Sequence, residues 1–402
     1  MSVETTAAPV RTDGSPSLRQ SLAGALAGRW RMAPILVALA LVWLIFSVES
    51  PVFLTSRNLT SLTNQIAVTA TVALGLVFVL IVRQIDLSLA ALSALCGAVG
   101  ARLLVDAGWD LGFAIAGATV VGAIIGATQG TIVTLFKAPA FIVTLGGYFI
   151  MGAGLLWLLP ATSVIPLANT PLETVAGTFL PVWISYVLAL AAVIAFAALR
   201  FVHHRGRVRE GIPSHPVRSV LFPAAALAAT IAIVLVFVFN AGQGVPTPAL
   251  IVLGLMAGLS YVAEQTPYGR RLYAIGGNPE AARRAGIPVG PLTTSAFAIA
   301  GALAGLAGII SASRQLGVSA EASDLTLLLN ALAAVVIGGI SLFGGRGNVW
   351  GALIGSLVIG SIANGLFLVN ASTQERWTLI GLVLIGAVIV DSLITRKAAS
   401  VE

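Results

Sequence analysis

Twelve stretches of the chain are apolar and carry no Asp, Glu, Lys, Arg or His in their central parts: 33–48, 66–82, 87–105, 111–135, 140–159, 181–199, 220–240, 248–264, 292–311, 325–343, 350–369 and 378–394. Crossing ~30 Å of hydrocarbon as a helix takes about 20 mainly apolar residues. Composition agrees, with 58% of residues hydrophobic and 9% charged, against about 25% charged in soluble domains. The expected fold class is therefore all-α, a polytopic membrane protein of about 12 transmembrane helices. A soluble enzyme is excluded.

An even number of spans puts both termini on one side. With a cytoplasmic N-terminus, 18 of the 22 Lys and Arg residues fall on the cytoplasmic side, and the other side holds Arg57, Arg314 and Arg376, with Arg102 near the outer end of its span. That asymmetry is the bias of cytoplasmic loops. The domain reading follows: a disordered cytoplasmic tail over 1–32, a transmembrane domain over 33–394, and a cytoplasmic tail over 395–402. Within the transmembrane domain lie a cytoplasmic loop at 265–291 and an extra basic cytoplasmic loop at 200–219. The first 30 residues are polar and lack the apolar core and small-residue cleavage site of a signal peptide. Glycines recur at four-residue spacing, as in Gly122, Gly126 and Gly130, or Gly301 and Gly305. This spacing lets helix backbones approach closely in lipid, within one subunit or between two.

The absence of charge at depth bears on function. A charge at the bilayer centre costs about 2.5–3.5 kcal/mol on insertion scales and is kept mainly for relays, pumps and ionic substrates. What remains within or near the spans are amides and hydroxyls, among them Asn64, Gln65, Gln129, Thr144, Ser260, Asn330 and Asn364. Such groups suit a neutral, polyhydroxylated solute, or equally helix-to-helix hydrogen bonds. Cys96 is the single cysteine, and neither Lys137 nor Lys397 stands in a phosphate-binding G-x-x-x-x-G-K-[ST] frame. No metal site is expected, and no nucleic acid as partner, since the arginines are dispersed among loops. Any ATP must be hydrolysed elsewhere.

The loop at 265–291 contains EQTPYGRRLYAIGGNPEAARRAGIPVG. Asn278 is a good N-cap, Pro279 suits the first helical position, and Gly286 followed by Pro288 ends the helix. The spacing predicts a short cytoplasmic helix over about 279–285. Glu280 stands four residues before Arg284, the favourable order for a surface ion pair, and Arg283 and Arg284 suit the C-terminal end of the dipole. A capped helix here can sit in a groove of a soluble partner.

The run YGRRLYAIGGNPEAARRAGI resembles the coupling loop of permease subunits of bacterial ATP-binding-cassette importers for monosaccharides, the ribose/xylose/arabinose class. Segments 53–92, 138–147 and 329–366 resemble the same family in the same order, so the likeness runs from about 35 to 394. The extra helix pair around 200–219 brings the chain nearest to the xylose branch. On that resemblance, Tyr268, Gly269, Gly276, Gly277, Asn278, Pro279, Glu280, Ala281, Ala282, Arg283, Arg284 and Gly286 form the ATPase-coupling loop. Asp86, Leu87 and Ser88 match the family's I-D-L-S turn, in which Asp86 or Ser88 can cap the third span. Gly344, Gly345 and Arg346 match a second turn. Asn64, Gln65, Gln129, Thr144, Asn330 and Asn364 are the candidate pathway residues.

The resemblance implies an inner-membrane permease without enzymatic activity and without a cofactor of its own, ATP and Mg being bound by the partner ATPase. Its implied partners are a second permease subunit in a homodimer, the cytoplasmic ATPase, an extracytoplasmic sugar-binding protein and the lipid bilayer. The implied cargo is D-xylose or another pentose. Ribose, galactose, a nucleoside or a branched-chain amino acid are alternatives, as is a secondary carrier. Arg83, Gln84, the run Leu89 to Ala91, and Asn330 depart from the family's usual residues, which bears on which sugar is carried.

Overall fold

The computed structural model describes residues 33–211, 215–239 and 244–399. The tail expected over 1–32, residues 400–402 of the other tail and residues 212–214 of the basic loop lie outside them. In chain order the helices are α1 (Ala33–Glu49), α2 (Ser56–Ile81), α3 (Leu89–Val105), α4 (Leu111–Leu135) and α5 (Ala140–Leu158). After strands β1 (Val164–Pro166) and β2 (Phe179–Leu180) come α6 (Val182–Arg209), α7 (Phe222–Ile233), β3 (Val245–Pro246) and α8 (Thr247–Gln265). Two short helices follow, α9 (Pro267–Gly277) and α10 (Pro279–Arg284), and then α11 (Val289–Arg314), β4 (Gly317–Ser319), α12 (Leu325–Ile337), α13 (Val349–Leu368) and α14 (Thr373–Ala399).

Nine described helices are long and apolar enough to cross a membrane. The stretches expected at 33–48 and 87–105 form α1 and α3, each 17 residues and short of that length. Several limits differ from expectation for local reasons. The second helix starts at Ser56 rather than 66, because Thr55 accepts a hydrogen bond from the Asn58 amide and caps it ten residues earlier. The helix expected over 325–343 stops at Ile337, since Gly338 is its C-cap and Gly339 takes a φ of +77° that continues no right-handed helix.

The core is built on α2. Its most apolar window is 83% buried within the protein, against 67% for α11 and 56% for α13. α11 packs on α2, α3 and α4; α13 packs on α2 and α12. The α4–α11 crossing is made at glycines: a Cβ on Gly122 or Gly126 would overlap the carbonyl oxygen of Gly301 or Phe297, and one on Gly305 would stand 2.7 Å from that of Ala118. The four-residue glycine spacing therefore serves packing inside this subunit. By contrast α6 and the α7 span are only 6% and 11% buried, a hairpin that the rest of the chain leaves largely uncovered.

The connections sort to two ends. At one end β1 pairs antiparallel with β4, β2 pairs with β3, and the Ala176 amide donates to Ser313 Oγ at 2.8 Å. The opposite end gathers the turn after α2, the α9–α10 segment and the turn between α12 and α13. Gly301→Ala is expected to lower the thermal midpoint of the detergent-solubilised protein, since even one methyl meets backbone and overpacking costs about 1–3 kcal/mol. Gly254→Ala, with nothing within 4 Å of its Cβ, should leave the midpoint unchanged.

Candidate functional site

α8 ends at Gln265, and the chain folds back so tightly that a Cβ on Gly269 would overlap the Ala263 carbonyl. Thr266 caps α9 by accepting from the Gly269 amide, and Pro267 fills its first turn. The helix is amphipathic. Leu272 and Ile275 are buried, and Arg270 and Arg271 are exposed. Its two tyrosines stitch it to the core, Tyr268 by a 2.8 Å hydroxyl contact with Ser295 of α11 and Tyr273 by donating to the Gly347 carbonyl at 2.9 Å. Desolvation, with the Glu264 charge, pushes the Tyr273 phenol up to about 12, so it stays a neutral donor.

Asn278 ends α9 and begins α10. Its Oδ1 accepts from the amides of Glu280 and Ala281, each at 3.0 Å, and Gly286 takes a φ of +78° past the last turn. The expected short helix is thus present over Pro279–Arg284. The ion pair is a correction: Glu280 meets Arg283 at 2.7 Å, three residues on, rather than Arg284. Arg283 and Arg284 both lie about one turn after Glu280, and the rotamers of these exposed side chains select the i+3 partner. Ala282 is the buried contact of α10, while Glu280, Ala281, Arg283 and Arg284 are exposed.

The end of α9 meets the core at a junction of three turns. A Cβ on Gly276 would overlap both the Ile81 carbonyl oxygen and the Gly345 nitrogen, and the Gly345 amide donates to Ile81 at 3.0 Å. Gly344 and Gly345 have φ of +82° and +68°, so the turn can bring bare backbone against α9. Gly277 has no neighbour within 4 Å of a Cβ, and Arg346 is exposed. Thus α9 meets the end of α2 and the α12–α13 turn in close backbone contact at Gly276, with the Tyr273 hydroxyl as a second tie to that turn.

Behind Ile81 lies a buried polar cluster. Asp86 Oδ1 accepts from the Ser88 amide at 2.8 Å and its hydroxyl at 2.6 Å. Neither residue caps α3 in the expected way: Ser88 is the N-cap but makes no side-chain cap bond. Gln129 stands 3.1 Å from the Ser88 oxygen. The near atom is Gln129 Oε1, which shares the single Ser88 hydroxyl proton with the carboxylate, while Gln129 Nε2 is buried without a partner among the described residues. Gly147 makes room for that amide, and Thr144 accepts from the Leu87 amide at 3.1 Å. Gln129 and Thr144 therefore hold the turn to α4 and α5.

The other candidate pathway residues divide. Asn364 exchanges two hydrogen bonds with Asn58, at 2.9 and 3.1 Å, and Asn58 also donates to the Phe53 carbonyl. Gln65 and Asn330 line a cavity of about 290 Å³ between α2, α11, α12 and α13, near the strand-bearing end. Asn330 Oδ1 is buried there without a partner, as is Asn64 Oδ1 nearby on α2. Thr69, Arg314, Gln315, Glu321 and Asp324 also line the cavity and were missed in the sequence. Arg314 ends α11, and Glu321 and Asp324 lie in the connection to α12, where polarity alone carries no signal. Asn58 was missed because α2 was expected to begin after it.

The family model for the permease component of branched-chain amino acid transport systems matches residues 58–390. The chain is 36% identical over 349 residues to the xylose transport system permease protein of Escherichia coli (strain K12), covering 86% of this chain and 87% of that one. It is 34% identical to the Haemophilus influenzae xylose transport system permease protein, covering 90% and 96%. The ribose import permease protein of Haemophilus influenzae is 30% identical, covering 90% and 93%. No solved structure matches significantly. With apolar helices arranged around one packed core, and with this extent of match, the chain belongs to the family of permease components of branched-chain amino acid transport systems, as a multi-pass membrane protein.

Proposed function

We propose that the chain is the transmembrane subunit of an ATP-driven importer for a neutral monosaccharide, D-xylose or another pentose, in the bacterial inner membrane. The backbone junction of Gly276 with Ile81 and Gly345 carries this reading, supported by likeness to the xylose permeases. A motor outside the membrane needs a stiff lever, and α10 is a capped, exposed helix held through α9 to two turns that end core helices. In this reading both termini and the α9–α10 segment are cytoplasmic, all twelve apolar stretches span, and two copies pair. A separate ATPase binds ATP and Mg and engages Pro279–Arg284, and an extracytoplasmic protein delivers sugar to the strand-bearing end.

The mechanism follows from which parts are stiff. Displacement of α10 moves Gly276 against Ile81 and Gly345, and so shifts α2 and α13 relative to one another. The cavity between α2, α11, α12 and α13 changes shape with them. The Asn330 and Gln65 amides on its lining offer sugar hydroxyls uncharged hydrogen-bonding partners. A second reading, a zwitterionic amino acid as cargo, draws on Arg314, Glu321 and Asp324 on the cavity lining.

In liposomes holding the permease, its ATPase and its binding protein, labelled xylose uptake should require ATP hydrolysis and ignore an uncoupler. Uptake that persists with an inactive ATPase overturns the proposal, and preferential uptake of leucine would establish the second reading. Gly276→Val should reduce uptake at least about tenfold while leaving insertion intact, as a loss on the order of 1.4 kcal/mol in coupling requires. Gly277→Ala should transport normally. Asn330→Leu should slow uptake without altering sugar affinity of the binding protein. Asn364→Leu should instead lower thermal stability by about 1–3 kcal/mol, because it strands the buried Asn58 amide.

A further inference from the structure

Among the described residues, the hairpin formed by α6 and α7 is fastened to the core at one end only. At the strand-bearing end Ser56 donates to the Val238 carbonyl, β2 pairs with β3, and Leu235, Phe239, Val245 and Ala249 form a small buried cluster. Ser56 meets Val238 within a π-helical turn over Val234–Phe239, where wider winding frees carbonyls. Toward the other end protein contact fades. Among the described residues α6 buries only Ser185, in its first turn.

α6 has 28 residues, about 42 Å of helix, so its last turns emerge from ~30 Å of hydrocarbon. There Arg200, Arg205, Arg207 and Arg209 are exposed, and Arg218 lies across the hairpin, which a 3.0 Å contact between Ser219 Oγ and the His204 ring closes. Between Glu173 and Glu264 the sequence has a single acid, Glu210. None of the five arginines forms an ion pair among the described residues. The Arg205 guanidinium lies 4.6 Å from the centre of the Phe201 ring, which steadies it while its in-plane donors stay open.

We infer that this tip binds anionic phospholipid headgroups of the leaflet on the coupling side, through Arg200, Arg205, Arg207, Arg209 and Arg218. A membrane leaflet fits better than a protein partner because the cluster is cationic with a single acid near it in sequence, and it ends an apolar helix long enough to span the hydrocarbon, which sets it at headgroup level. Each arginine near an anionic surface adds to the attraction, and the planar fork matches phosphate oxygens. Lipid then holds the end of the hairpin that the protein leaves unfastened.

The test uses the full-length protein in nanodiscs of phosphatidylcholine with and without phosphatidylglycerol, with retained lipid read by native mass spectrometry. The wild type should retain phosphatidylglycerol several-fold over phosphatidylcholine. The triple variant Arg205→Gln, Arg207→Gln, Arg209→Gln should lose on the order of tenfold or more of that preference. The corresponding Arg→Lys triple should keep most of it. Equal retention of both lipids by the wild type, or unchanged preference in the glutamine variant, overturns the inference. So does loss in the lysine variant, and so does tighter capture of the soluble ATPase than of anionic lipid through these arginines.

Discussion

The backbone-to-backbone approach of α4 and α11 at Gly122, Gly126, Gly301 and Gly305 is the contact on which the rest of the core depends. In lipid there is no gain from hiding apolar side chains, since the solvent is as apolar as they are. What holds helices together is the number of atoms brought to van der Waals distance, and missing Cβ atoms raise that number. α11 is drawn against α2, α3 and α4 at once, and it begins only five residues after α10 ends. The exposed helix and the most tightly packed part of the core are thus neighbours in sequence.

The same device recurs at the end that carries α9 and α10, with a different consequence. Gly276, Gly344 and Gly345 let three turns meet through backbone, and the Asp86–Ser88–Gln129 cluster braces the turn behind them. Backbone contacts have few soft degrees of freedom, so this region moves as a unit. The cavity near the strand-bearing end differs: its lining mixes amides, hydroxyls and charged groups, and the buried Asn330 Oδ1 lacks a partner among the described residues. Stiffness at one end and unsatisfied polarity near the other are what a driven solute path needs.

Much of this was legible along the chain. Asn278 and Pro279 announce a helix start by local rules, and Gly286 its end, because capping involves residues only two or three apart. The partner of Glu280 was misread as Arg284 because a surface pair depends on rotamers rather than spacing alone. The polar residues at depth were equally ambiguous. Gln129, Thr144 and Asn364 prove to bond within the protein, whereas Gln65 and Asn330 face a cavity. One-dimensional polarity cannot separate these roles, since the partners Ser88, Leu87 and Asn58 lie in elements distant in sequence.

By itself the sequence determined the solvent, the helical class, the apolar stretches, the basic bias of alternate loops and the capped helix after Asn278. Each follows from hydropathy or from hydrogen bonds between near neighbours. Only the tertiary structure decided that the glycine rows pack within one subunit, that Gly276 meets Ile81 and Gly345, and which amides face a cavity. Those facts join residues separated by up to hundreds of positions. They depend on how closely two backbones can approach, a quantity that no local pattern encodes.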